Sequence, residues 1–236
     1  MKRFSVLHAI IKKELKSYFN SPIAYIVITI FLVFTGFFFF KDFFYFNQAE
    51  MRNLFQLMPL MLCFVIPAVT MKLLSEERHS GSFEILLTLP VSTQDIALGK
   101  FLAGTIFSLI MISPTLLYLI TLMFLGSPDF GPIIGGYLGI IFLAAAYTSI
   151  GILASSFTKN QIISFISAWA ACFFLWLLDK MVVFFPSKLG FISYFGTDYH
   201  FQNISKGLID SRDIIYFVSI CVLSLMFTVK AIEERR

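Results

Sequence analysis

Between its charged residues the chain leaves six uncharged, strongly apolar windows, at residues 17–40, 53–71, 101–128, 130–158, 160–178 and 214–229. An α-helix rises about 1.5 Å per residue, and crossing a bilayer takes roughly 20 residues. The first five windows meet that need. The sixth is shorter, but Lys230 can extend its amine toward headgroups while the helix runs on through Ile232. The pattern predicts an all-α integral membrane fold with six transmembrane helices in one domain, 1–236. The spans fall near 22–42, 54–74, 95–125, 132–156, 160–182 and 213–232. The first apolar run begins near Ile23 and is too long for a signal-peptide core, so the amino terminus is expected to be retained.

Three stretches outside the spans are patterned. In residues 4–19, Phe4, Leu7, Ile11, Leu15 and Tyr18 recur at steps of three and four, an apolar helical stripe flanked by Lys12, Lys13 and Lys16 in a helix that also carries Glu14. Such a helix suits the headgroup layer, and a docking role on a soluble partner is compatible with it. Residues 75–94 hold a short helix with Phe83, Leu86 and Leu87 on one face, stopped near Thr88 because Leu89 precedes Pro90. Ser92, three positions before Asp95, reads as the cap that opens span three. Residues 183–212 are too apolar for a solvated loop and predict short re-entrant helices at the outer face. There Asp198 is expected to cap a helix carrying Phe201, Ile204 and Leu208, which ends by Gly207. Asp210 and Asp213 repeat the capping spacing before span six, beside Arg212 and downstream of His200.

Within the spans, Pro59, Pro67 and Pro114 each remove a helical hydrogen bond and predict local kinks. Gly131, Gly135 and Gly139 permit close helix approach, inside the chain or at a subunit contact.

Composition sharpens this picture. Hydrophobic residues make up 58% of the 236 and charged residues only 14%, against roughly 25% charged in soluble domains. A soluble enzyme is excluded. Lys and Arg divide twelve to six between alternate sides, which places both termini and the 75–94 loop in the cytoplasm. Cys63, Cys172 and Cys221 lie in apolar runs and read as buried hydrophobes. There is no G-x-x-x-x-G-K-[ST] phosphate loop, no HExxH, no CxxC and no GxSxG. His8, His79 and His200 stand in separate segments, and Glu76, Glu77 and Glu84 beside Arg78 read as a solvated or partner-facing cluster. No charge falls deep inside a window, whereas ion-coupled carriers usually place ionisable groups along the path. The driving energy is therefore expected from outside the membrane-spanning part. The Phe-rich spans one and five suit lipid contact or an amphiphilic cargo.

Residues 76–92, EERHSGSFEILLTLPVS, resemble the coupling segment of the ABC-2 type transporter permeases, E-x-x-x-G-[ST]-x-E-x-L-L-x-x-P-[VI]-[ST]. The residues concerned are Gly81, Ser82, Glu84, Leu86, Leu87, Pro90, Val91 and Ser92. Gly151 with SSFTKNQ at 155–161 is similar to the family's turn between spans four and five. Residues 200–217 resemble the subgroup of gliding-motility permeases and the permease of nitrous-oxide reductase maturation.

The resemblance implies a permease subunit of the bacterial inner membrane, dimeric with itself or a similar permease, driven by a separate cytoplasmic ATPase. ATP and Mg would be bound in that partner and no cofactor in this chain. Glu76, Arg78, Gly81, Ser82, Phe83, Glu84, Leu86, Leu87, Pro90 and Val91 would contact or transmit movement from it. Spans two and five would line the pathway, and His200, Phe201, Gly207, Asp210, Arg212 and Asp213 would form the outer segment. A periplasmic accessory protein and membrane lipid are further expected partners, and nucleic acid is not. The alternatives are an ATP-independent channel, scramblase or secondary carrier, and a subunit that transmits movement to a periplasmic partner without passing a solute.

Overall fold

A computed structural model describes residues 2–46, 50–88, 91–126, 128–181 and 190–234. Every regular element among them is helical. Helix α1 (Lys2–Asn20) precedes α2 (Pro22–Phe46) and α3 (Arg52–Thr70). Two short helices follow, α4 (Lys72–His79) and α5 (Ser82–Thr88). Then come α6 (Thr93–Ile112), a 3₁₀ turn at Ser113–Thr115, α7 (Leu116–Leu125), α8 (Phe130–Phe157) and α9 (Gln161–Met181). A 3₁₀ segment, Gly190–Phe195, leads to α10 (Thr197–Ser205) and α11 (Ser211–Glu233).

Six helical stretches are long and apolar enough to cross a membrane: Pro22–Lys41, Arg52–His79, Thr93–Leu125, Phe130–Phe157, Gln161–Met181 and Ser211–Glu233. Each overlaps one of the six windows, several running beyond it, and the chain is a multi-pass membrane protein. The short helices α4 and α5 lie at one end of the bundle, called the coupling face because it holds the segment expected to couple. The 3₁₀ segment and α10 lie at the other, the far face.

The prolines act unequally. Helix α3 runs unbroken across Pro59 and Pro67, whereas Pro114 coincides with the 3₁₀ turn that divides the third span. At α6 the expected cap is present: the Ser92 hydroxyl accepts from the Asp95 amide at 3.1 Å.

Helices α3 and α8 form the centre. In their most apolar stretches 56% and 67% of residues are buried, against 22% in α2 and 17% in α9, so the latter two are outer walls. Glycines make the centre possible. A Cβ at Gly151 would collide with the Thr70 hydroxyl on α3, and one at Gly136 with the Phe55 ring. The stripe Gly131, Gly135 and Gly139 serves contacts within the chain. Gly135 faces the Ile204 carbonyl, Gly139 faces Phe201, and Gly131 faces Gly207, whose φ of +84° suits glycine.

Several expectations require correction. Lys100 lies outside the uncharged third window but inside the span expected at 95–125, and in α6 it is 1% exposed. The spans are therefore not free of buried charge. Gly196, not Asp198, precedes α10, and Asp198 in the first turn pairs with Lys180. Helix α10 ends at Ser205, so Leu208 is off the helix and exposed. Asp210 does cap α11, accepting from the Arg212 amide at 3.0 Å, but Asp213 turns to His200 instead. Pro90 and residues 182–189 lie outside the described residues.

Candidate functional site

At the coupling face, α3 passes into α4 at Met71, and α4 ends in a turn at Ser80 and Gly81. Gly81 has φ of +74°, a left-handed conformation that reverses the chain into α5 without a Cβ clash. The turn is tied locally: Ser80 Oγ and Ser82 Oγ are 2.8 Å apart, and both hydroxyls donate to the Glu77 carbonyl.

Helix α5 presents two faces. Phe83 is buried and Leu86 half-buried against an apolar cluster with Leu73, Leu74, Ile96 and Ile152, which Val91, just before α6, joins. Ser82 and Glu84 are exposed, as is Glu76 in the middle of α4. Leu87 belongs to α5, but its side chain is outside the described set. The predicted segment is thus a short helix with an inward apolar grip and an outward polar face.

Arg78 departs from its expected outward role. It is 9% exposed and its guanidinium donates to the Ser156 carbonyl near the end of α8. It fastens α4 to α8 and satisfies a carbonyl that the helix end leaves without an intrahelical partner.

The strongest feature is a buried charge cluster linking α1, α4 and α6. Lys100 Nζ lies 2.8 Å from Glu14 Oε1, 2.8 Å from Glu77 Oε2 and 2.6 Å from the Leu73 carbonyl. Lys13 Nζ reaches Glu77 Oε1 at 2.9 Å from the solvent side. Burial lowers the pKa of the Lys13 amine, but the Glu77 hydrogen bond and charge, with Glu14, outweigh it and hold it above its usual 10.5. A lysine with almost no exposure is tolerated here because two carboxylates and a carbonyl replace its water.

Apolar contacts reinforce the link. Ile10 packs directly on Gly99, where a Cβ would come within 2.7 Å of it. Tyr18 stacks on Phe107 at 4.5 Å, donates to the Val69 carbonyl at 2.9 Å and lies under the Lys72 amine at 4.5 Å. Thr93 donates to Glu233 at 2.9 Å, joining α6 to the end of α11. Lys12 and Lys16 remain exposed on the other side of α1.

Sequence reasoning treated Glu77 as solvated and passed over Lys100. A signal was present. Glu14 stands four residues after Ile10 and four before Tyr18, so an acid interrupts the apolar face of α1 and calls for a cation opposite it.

The far face holds a second polar cluster. His200 Nδ1 is 2.5 Å from Asp213 Oδ1 and its Nε2 is 2.9 Å from the Tyr194 carbonyl, while its ring stacks on Tyr216 at 4.0 Å. Lys180 meets Asp198 at 2.5 Å and Asp179 at 3.3 Å, and Tyr147 and Thr197 share a hydrogen bond at 3.0 Å. Phe201 and Ile204 are buried in the main core, and Arg212 is exposed. These contacts fasten α10 to α8, α9 and α11. Among the described residues no group of three His, Cys, Asp or Glu side chains could hold a metal ion.

The site combines exposed polar groups on a short helix, α5, with buried attachments that run from its neighbour α4 to α1, α6 and α8. No curated protein matches the chain. The family model described as ABC-2 family transporter protein matches residues 8–195, from α1 through the 3₁₀ segment before α10. The match spans most of the chain and contains the whole coupling-face site, and the chain belongs to the ABC-2 transporter family.

Proposed function

We propose that this chain is the permease subunit of an ATP-driven transporter and receives movement from a separate ATPase through α5. One observation carries the reading. Helix α5 is polar outward and, through α4, clamped inward to α1, α6 and α8 by Glu77–Lys100–Glu14 and by Arg78. A push on Ser82 and Glu84 then reaches the spans through charge-assisted contacts rather than through a slack loop.

In this reading the coupling face and both termini lie in the cytoplasm of a bacterial inner-membrane protein. ATP and Mg are bound by the partner ATPase, not by this chain. The apolar residues exposed on α2 and α9, among them Ile26, Val33, Phe37, Ile163, Ile166 and Phe174, face lipid or a second permease. The far-face helices close the outer end of the path and can receive an accessory protein. Membership of the gliding-motility or nitrous-oxide-reductase-maturation subgroup rests on residues 200–217, which lie beyond the matched region.

The test is affinity purification from native membranes followed by substitution of α5. Recovery of a Walker-type ATPase, and its loss on Glu84→Lys with the fold intact, supports the proposal. Recovery of the folded permease with no ATPase, together with passage of solute or lipid by the chain alone in liposomes, supports the ATP-independent alternative.

A further inference from the structure

A cavity of about 300 Å³ opens on the far face between the start of α3, the start of α8 and the end of α10. Its floor is apolar, formed by Met51, Phe55 and Ile133, each no more than 4% exposed. Around it stand Glu50, Arg52, Asp129, Lys206, Gln202 and Ser205. The two acids and two bases balance in charge, and the described residues contain no ion pair made by Glu50, Arg52, Asp129 or Lys206. Asp129 uses one oxygen to cap α8 through the Gly131 amide at 3.1 Å, leaving the other. Gln202 donates to Asp198 at 3.3 Å and keeps its own side-chain oxygen as an acceptor.

The cavity is pre-formed. Its walls are closely packed, the Ile204 carbonyl against Gly135 and Gly207 against Gly131 on one side, and the Phe55 ring of α3 against Gly136 on the other. Closed apolar floors with a few convergent polar groups are the usual form of small-ligand sites, and this volume lies at the low end of their range. An anion alone would leave two carboxylates facing it, and a cation alone would leave the guanidinium and the amine. A ligand carrying both charges meets both sets.

We infer that this cavity binds a small zwitterion, an anionic phosphate or carboxylate joined to an ammonium, with the anion toward Arg52 and Lys206 and the ammonium toward Glu50 and Asp129. The cavity lies where two apolar spans begin, at Arg52 and Phe130, so the group can come from a lipid headgroup or from a free solute. It lies on the face opposite α5 and does not depend on the ATPase reading.

The experiment uses the full chain in nanodiscs. The probes are glycerophosphoethanolamine in solution, phosphatidylethanolamine against phosphatidylglycerol in the bilayer, and inorganic phosphate and ethylamine as single-charge controls. Saturable binding of glycerophosphoethanolamine, weakened about tenfold or more by Arg52→Gln and by Glu50→Gln, supports a site open to free solute. Binding only of phosphatidylethanolamine, with the same sensitivity, supports a headgroup site. Both residues are exposed, so the variants should keep the wild-type thermal midpoint. Lys206→Gln provides a second check on the anion end. Inorganic phosphate binding as tightly as the zwitterion, indifference to Glu50→Gln, or no binding of either zwitterionic probe would overturn the assignment.

Discussion

Replacing Lys100 by methionine keeps the length and apolar stem of the side chain and removes only its charge. Glu14, 8% exposed, then loses its 2.8 Å partner and keeps Lys13 only at 3.9 Å. Glu77 is better placed, because Lys13 still lies 2.9 Å away. One carboxylate is thus left buried without adequate compensation, and breaking a buried pair in this way costs about 3–5 kcal/mol. At about 2–4 °C per kcal/mol for a chain of this size, the thermal midpoint in detergent should fall by about 6–20 °C. Neutralising the orphan reverses the effect, so Lys100→Met with Glu14→Gln should recover most of the loss. The double variant also separates fold from transmission. Under the proposed function, with the α1–α6 charge link gone but packing restored, ATP hydrolysis by the partner ATPase should persist while transport drops. A midpoint for Lys100→Met within 2 °C of wild type, or a double variant no more stable than the single, would refute the role given to the cluster.

Other consequences are equally direct. Gly151→Ala places a methyl group against Thr70 and should cost about 1–3 kcal/mol by overpacking, with partial recovery on adding Thr70→Ala; chemical denaturation in micelles reads both. Ser92→Ala removes the cap on α6 and should cost about 1 kcal/mol, a fall of about 2–4 °C in the midpoint, whereas no change would mean that the Asp95 amide is satisfied elsewhere. Asp213→Asn weakens the hold on His200, so hydrogen exchange should quicken across Thr197–Ser205 and stay unchanged in α5; equal change at both faces would count against a local fastening.

The spans were legible because an apolar helix of bilayer length has few alternatives once backbone groups must be satisfied within it. The α5 helix was legible for a local reason as well, since Pro90 and the Ser92–Asp95 cap bound it in sequence. What windows of uncharged residues could not convey is that helices overrun them. Lys100 is adjacent to an apolar window and inside the expected span 95–125, and nothing near it in sequence shows that the fold turns it inward to two acids, one of them 86 residues away. Arg78 is similar: nothing near it in sequence indicates the Ser156 carbonyl, which only the packing of α4 on α8 brings within reach. On the far face, Asp198 had the residue type of a cap and Asp213 the spacing. Tertiary partners, Lys180 and His200, claimed them both. Side-chain partners distant in sequence decided these cases, and one-dimensional patterns carry no record of them.

The central claim is that α5 is the surface through which a separate ATPase acts on this chain. Its most direct test is site-specific cross-linking at Glu84, replaced by a photoreactive residue in the full chain in native membranes, with and without a non-hydrolysable ATP analogue. One dominant adduct is expected, with a Walker-type ATPase, and its yield should change when the nucleotide is bound. An α5 that cross-links only to lipid, or whose adduct contains no nucleotide-binding protein, would contradict it.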